Sequence, residues 1–203
     1  MDNSGIAVAI PKGATSMKRT WKIAICIAAA VVLVGVSLPA LSASGGEQYQ
    51  AQAMGEGTQM GQTFGVTINI NEYSTTEDQQ VLIQALETKG TQGVYNALDK
   101  MGSKGRIRIT GTLGFDANYI HVIQMPDGMR KIRLVTDRPI TFGEAWTDSR
   151  SEDYNLSALE LDVDANGKGT GTLLPACQFK IKNHQLEIDA LRNPWRLVDV
   201  FRW

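Results

Sequence analysis

The stretch Leu159-Glu160-Leu161-Asp162-Val163-Asp164-Ala165-Asn166-Gly167-Lys168-Gly169-Thr170-Gly171-Thr172-Leu173-Leu174 decides the fold class. Leu159, Leu161 and Val163 alternate with Glu160, Asp162 and Asp164, a period of two that puts one apolar face and one charged face on a strand. Asn166-Gly167 then supplies the two residues that most readily take the positive φ of a tight hairpin turn. The chain returns as a second strand, Gly169 to Ile181, so the basic unit here is an antiparallel hairpin.

Reading outward, the same grammar continues in both directions. Leu186 to Leu191 and Arg196 to Trp203 read as two closing strands. Upstream, Tyr119 to Met125 and Met129 to Asp137 flank the turn Pro126-Asp127-Gly128, and Ile107 and Ile109 alternate with Arg106 and Arg108. The first strand is Phe64, Val66, Ile68 and Ile70. Helical spacing occurs directly after it. Ser74-x-x-Glu77 has the form of a capping box, Val81, Leu82, Ala85 and Leu86 share one helical face, and Gly90 stops the run. A second short helix is predicted from Thr91 as its cap through Val94, Ala97, Leu98 and Met101 to Gly102. The expectation is an α+β domain: a mostly antiparallel meander of about seven or eight strands with a helical hairpin after the first strand. The sheet is expected to curl into a sandwich or a barrel.

The N-terminal region obeys other rules. Ile23 to Val36 is unbroken by charge, follows Lys18, Arg19 and Lys22, and is followed by Pro39 and the small residues Ala40, Ser42, Ala43 and Ser44. This is the layout of a cleavable export signal over residues 1–44, with Met17 as an alternative start. The competing reading is an uncleaved anchor over residues 23–41, long enough to span a bilayer. Both place the domain in the periplasm or outside the cell. Residues 45–63, rich in Gly, Gln, Ala and Met, read as a flexible tether, leaving 64–203 as one globular domain. Cys26 falls in the leader and only Cys177 remains beyond it, so no disulfide framework is expected.

Composition narrows the function classes. Twenty Lys and Arg against twenty-one Asp and Glu give a net charge of −1, which lacks the basic excess of a nucleic-acid footprint. The charges are nonetheless segregated, basic from Lys100 to Arg138 and acidic from Glu144 to Asp164, which reads as cross-strand ion pairing on a solvated face, with a basic patch for an anionic ligand or surface polymer as the alternative.

Few residues point to chemistry. Asp162-x-Asp164-x-Asn166-Gly167 matches the start of a calcium loop, but the bidentate Glu position holds Leu173 and the flanks are strands. A metal-free hairpin is the preferred reading, and no cofactor is predicted. His121 and His184 are the only histidines, and Cys177 shares its strand face with Leu173, Phe179 and Ile181 as a small buried hydrophobe. Glu144 and Asp148, with Arg138 nearby, form the candidate set for a hydrolase working through loop carboxylates. The C-terminal aromatics Trp195, Phe201 and Trp203 are candidate binding residues that close a core or line a groove. The aromatic ending also has the form of the last strand of a small outer-membrane barrel, although Asp199 interrupts its face.

Gly105-Arg106-Ile107, Thr136-Asp137-Arg138-Pro139-Ile140, Asp164-x-Asn166-Gly167-Lys168-Gly169-x-Gly171-Thr172 and Pro194-x-Arg196-Leu197 together resemble a family of exported bacterial proteins of unknown function. The resemblance implies bacterial origin and export, and no activity, cofactor or site residue. The expectation is a non-catalytic exported domain binding a protein partner, an envelope component or an apolar small ligand. A secreted hydrolase and a small-ligand barrel are the alternatives.

Overall fold

The computed structural model describes residues 46–141, 154–182, 185–191 and 193–203. Among the described residues nine strands form one antiparallel sheet: β1 (Glu47–Gly55), β2 (Thr63–Ile70), β3 (Gly105–Ile109), β4 (Phe115–Gln124), β5 (Arg130–Thr136), β6 (Leu156–Val163), β7 (Gly169–Lys182), β8 (Gln185–Ala190) and β9 (Trp195–Arg202). Neighbours in sequence pair from β1 through β7, β9 pairs with both β7 and β1, and the sheet closes into an eight-stranded barrel. β8 is the extra strand. It pairs with the second half of β7, which continues past the residues that β6 reaches. The predicted antiparallel meander is therefore present, and it is a barrel rather than a sandwich.

Two corrections concern the beginning of the domain. The segment read as a tether supplies β1, which pairs with β2 along its whole length and with β9 on its other edge. The globular domain accordingly begins at β1, not at residue 64, and the helix follows β2 instead of the first strand. The inward residues of β1 are Tyr49, Ala51 and Ala53, and Ala53 and the following Gly55 are small for a packing reason. Ala53 lies opposite Phe64 and Gly55 opposite Trp195, whose rings pack with centroids 4.6 Å apart and fill that mouth of the barrel.

The barrel interior is a packed apolar core. Val66, Ile68 and Ile70 of β2, Ile107 and Ile109 of β3, Ile120 of β4, Ile132 and Leu134 of β5, and Leu159, Leu161 and Val163 of β6 all face inward. At the mouth opposite Trp195, Arg130 Nη2 bonds both oxygens of Glu47 at 3.0 and 3.1 Å, and donates to the Tyr73 hydroxyl at 2.8 Å. Tyr49 and Tyr73 donate their own hydroxyl protons to the Glu47 carboxylate.

The expected helical pair is present within α1 (Thr76–Lys100), two helical runs that meet at Gly90, whose φ of 61° and ψ of −151° suit glycine alone. The corner brings the two halves together: a Cβ at Gly93 would collide with the Ala85 carbonyl oxygen. The capping box lies one residue later than predicted. Thr75 Oγ1 accepts from Asp78 N–H, and Asp78 accepts in return from Thr75 N–H. A second apolar cluster, outside the barrel, joins Val94 and Leu98 of α1 to Val135, Leu156, Ala158, Leu174, Cys177 and Phe179.

Candidate functional site

Hydroxyl side chains fasten both ends of the first half of α1 to the outer barrel wall. Ser74 donates its N–H to Ile120 O at 2.7 Å and accepts from Ile120 N–H through Oγ at 2.9 Å. Ser74 thus occupies the edge of β4 beyond Ala117, where the pairing with β3 has ended. Thr91 does the same at the other end. Its Oγ1 donates to Phe179 O at 2.6 Å and accepts from Phe179 N–H at 3.1 Å, on the part of β7 that β6 no longer reaches. Residues 75–90 therefore form a strap pinned over β4, β5, β6 and β7.

Between its anchors the strap packs only partly, with Leu82 and Leu86 against the outer cluster. No residue from Thr76 to Lys89 is buried, Leu82 and Leu86 are half-buried, and Val81 and Ile83 remain 49% and 40% exposed. The second half of α1, by contrast, buries Gly93, Val94 and Leu98. The gap under the first half is a crevice of about 270 Å³, close to the lower end of the roughly 300–1,000 Å³ typical of small-molecule sites.

Strand register gives this crevice a graded floor. Tyr119, Val135, Ala158 and Leu174 lie side by side across β4, β5, β6 and β7 and form an apolar row. The adjoining row is polar: His121, Arg133, Glu160 and Thr172. Leu82, Ile83 and Leu86 of the strap form the roof. Glu160 is held between Lys131 at 2.6 Å and Arg133 Nε at 2.7 Å, and Lys131 also reaches Asp162 at 2.6 Å. Burial alone would raise the pKa of Glu160, but the hydrogen bonds from Lys131 and Arg133 outweigh it and hold the carboxyl below its usual range. The His121 pKa is lowered, first by burial and then by the Arg133 charge, so the imidazole is neutral at pH 7. These pairs are the cross-strand ion pairing that the charge segregation predicted.

The residues singled out from sequence are scattered. Glu144, Asp148 and His184 lie outside the described residues. Arg138 is exposed, 3.3 Å from Asp137 and 3.9 Å from Asp116, away from the crevice lining. Asp162 faces Lys131, while Asp164 Oδ1 accepts from the N–H groups of Asn166 and Lys168 and so organises the β6–β7 turn. Asn166 sits in that turn, where Gly167 takes a φ of 76°. Among the described residues no group of three or more His, Cys, Asp or Glu converges as a metal site.

The C-terminal aromatics divide. Trp195 is in the core, whereas Phe201 and Trp203 are exposed at 38% and 80%. A bulge causes this: Asp199 has a φ of 51°, and both of the β9 ladders shift register beside it. Trp195, Leu197 and Val200 point in, and Phe201 is turned out. The one-sided aromatic face predicted for the last strand is thus broken at the very residue that interrupted its pattern. Cys177 is fully buried, and burial pushes its thiol pKa far up, which removes it as a nucleophile. It lies in the outer cluster with Phe179, while Leu173 faces the barrel interior, because a register shift on β7 separates them.

Sequence reasoning missed the crevice. The signals were present in Val81 and Ile83, apolar residues that extend the helix's apolar surface beyond one face, and in Tyr119 and His121 at alternate positions of one strand. Comparison with known proteins finds no matching family model, no matching curated protein and no matching solved structure.

Proposed function

We propose that this chain is an exported, non-catalytic binding domain that takes an apolar small ligand in the crevice beneath the first half of α1. One observation carries the reading: a helical segment pinned at both ends packs only partly on an apolar wall, with Leu82 and Leu86 against it and Ile83 still exposed, leaving a preformed gap beside them. Apolar surface kept from packing costs about 25 cal/mol per Å², and a ligand would recover that burial. Export rests on the charged-then-apolar leader, Lys18 to Val36, followed by small residues. β1 opens at Glu47, directly after the small-residue region, so leader and fold adjoin.

The distribution of side chains favours this over a lipid-spanning barrel. Such barrels carry an apolar outer band and a polar interior. Here the interior is apolar, and β1, β2 and β3 turn Gln52, Thr67, Asn69, Arg106 and Arg108 outward.

The test is titration of octanol into nitrogen-labelled protein. Amide shifts should concentrate on Tyr119, Val135, Ala158 and Leu174. Ala158→Phe, which places a ring in the gap, should abolish them while leaving the remaining spectrum and the melting temperature at or above those of the parent. Shifts elsewhere, or equal shifts in Ala158→Phe, would remove the crevice as the site.

A further inference from the structure

We propose that the crevice is specific for a monocarboxylate with an unbranched apolar tail, its carboxylate held by the two terminal amino groups of Arg133 and its tail laid along the Tyr119–Val135–Ala158–Leu174 row. This inference rests on the crevice being the binding site and goes further by naming the head group and its partner.

The geometry of Arg133 is the starting point. Its Nε is engaged by Glu160 at 2.7 Å. Among the described residues nothing accepts a hydrogen bond from its Nη1 or Nη2. A guanidinium bonded at Nε alone still presents a pair of parallel N–H groups, the arrangement that matches a carboxylate's two oxygens. Those groups belong to a residue that lines the crevice and is largely covered, with 24% of its side chain exposed. The competing cation is already engaged: Lys131 sits between Glu160 and Asp162, at 2.6 Å from each. Arg133 is therefore the cation that remains able to receive an anion there.

Register fixes the shape of the ligand. Arg133 and Val135 project from the same side of β5, so a head on the guanidinium places the next part of the molecule over the apolar row. That row runs across four strands without a charged side chain, and Leu82, Ile83 and Leu86 cover it from above. A crevice of about 270 Å³ has room for an apolar chain of medium length. His121, neutral beside the guanidinium, adds no second positive charge, which matches a singly charged head better than a phosphate dianion.

The experiment compares octanoate with octanol on the full folded domain, by calorimetry and by the His121 imidazole resonances. Octanoate should bind at least fivefold more tightly than octanol and shift His121. Arg133→Gln, which leaves Lys131 to neutralise Glu160, should bring octanoate to the affinity of octanol. Arg133→Lys should restore at most part of the preference, since an ammonium lacks the parallel pair of donors. Octanoate and octanol binding equally to the parent protein would overturn the carboxylate assignment and leave the crevice reading intact. Binding of neither would overturn both. If Arg133→Gln fails to fold, the parent comparison and Arg133→Lys still decide the matter.

Discussion

At the scale of single residues, the most consequential group outside the crevice is Glu47. Its carboxylate receives Arg130, Tyr49 and Tyr73 at one barrel mouth, with 15% of the side chain exposed. Burial pushes its pKa up, but the three donors more than offset that and hold the carboxyl below its usual range. A depressed carboxylate stabilises the fold above its unfolded pKa, and that contribution is lost as pH falls through the folded pKa. Glu47→Gln should cost roughly 1.5–3 kcal/mol at neutral pH, because Arg130 loses a charged partner in a half-buried site. Urea unfolding at stepped pH checks this: the gap between parent and variant should narrow as pH falls through and below the ordinary glutamate range and the parent's carboxylate protonates. A gap that stays constant with pH would mean the cluster is not held by that charge. Single residues also mark where sequence was and was not readable. The Asp164-Asn166-Gly167 turn was legible because Asx and Gly chemistry is local. The fate of Trp195 and Phe201 was not, because a bulge at Asp199 reverses facing within one strand and no period reveals it.

At the scale of elements, the strap shows how side chains substitute for a missing strand. Ser74 and Thr91 each supply a donor and an acceptor to a strand edge that its neighbour has abandoned. The sequence assigned both as helix caps, a natural reading because Ser and Thr favour that role and each adjoins a helical run. The cap is Thr75, and tertiary pairing claimed the other two. Thr91→Val keeps the shape and deletes the hydroxyl, leaving the Phe179 N–H and C=O without that partner. Stability should fall by about 1–3 kcal/mol in urea, and amide exchange should accelerate most in residues 76–90. Thr91→Ser, which retains the hydroxyl, should recover most of the loss. β1 was missed at this scale for a different reason. Its inward positions after Tyr49 are Ala51 and Ala53, so Gln–Ala alternation gives little hydrophobic contrast, and the smallness that hid the strand is what admits Phe64 and Trp195.

At the scale of the whole molecule, closure depends on β1 lying between β2 and β9. A tether could be removed without consequence, whereas this strand cannot. A chain beginning at residue 57 should lose the dispersed amide spectrum and aggregate, because two long edges and the apolar barrel interior would be exposed together. A dispersed spectrum matching that of the longer chain would show that the barrel holds without its first strand. The antiparallel meander was legible from alternation and turns, which are properties of neighbouring residues, while the choice of barrel over sandwich was not. The seam that closes it was not, since pairing between distant segments leaves no local trace.

That seam also sets a timetable. β1 and β9 are the first and last strands of the described chain, so the ladder that seals the barrel joins segments with all the other elements between them. Closing so large a loop must precede the reward of burying Trp195 and Leu197, and proteins dominated by such distant pairings fold in milliseconds to seconds where helical bundles take microseconds to milliseconds. A nascent chain that still lacks residues 195–202 can form hairpins but no sealed interior. Its commitment to the native state is deferred until β9 has emerged, which keeps the polypeptide pliable for whatever handles it first.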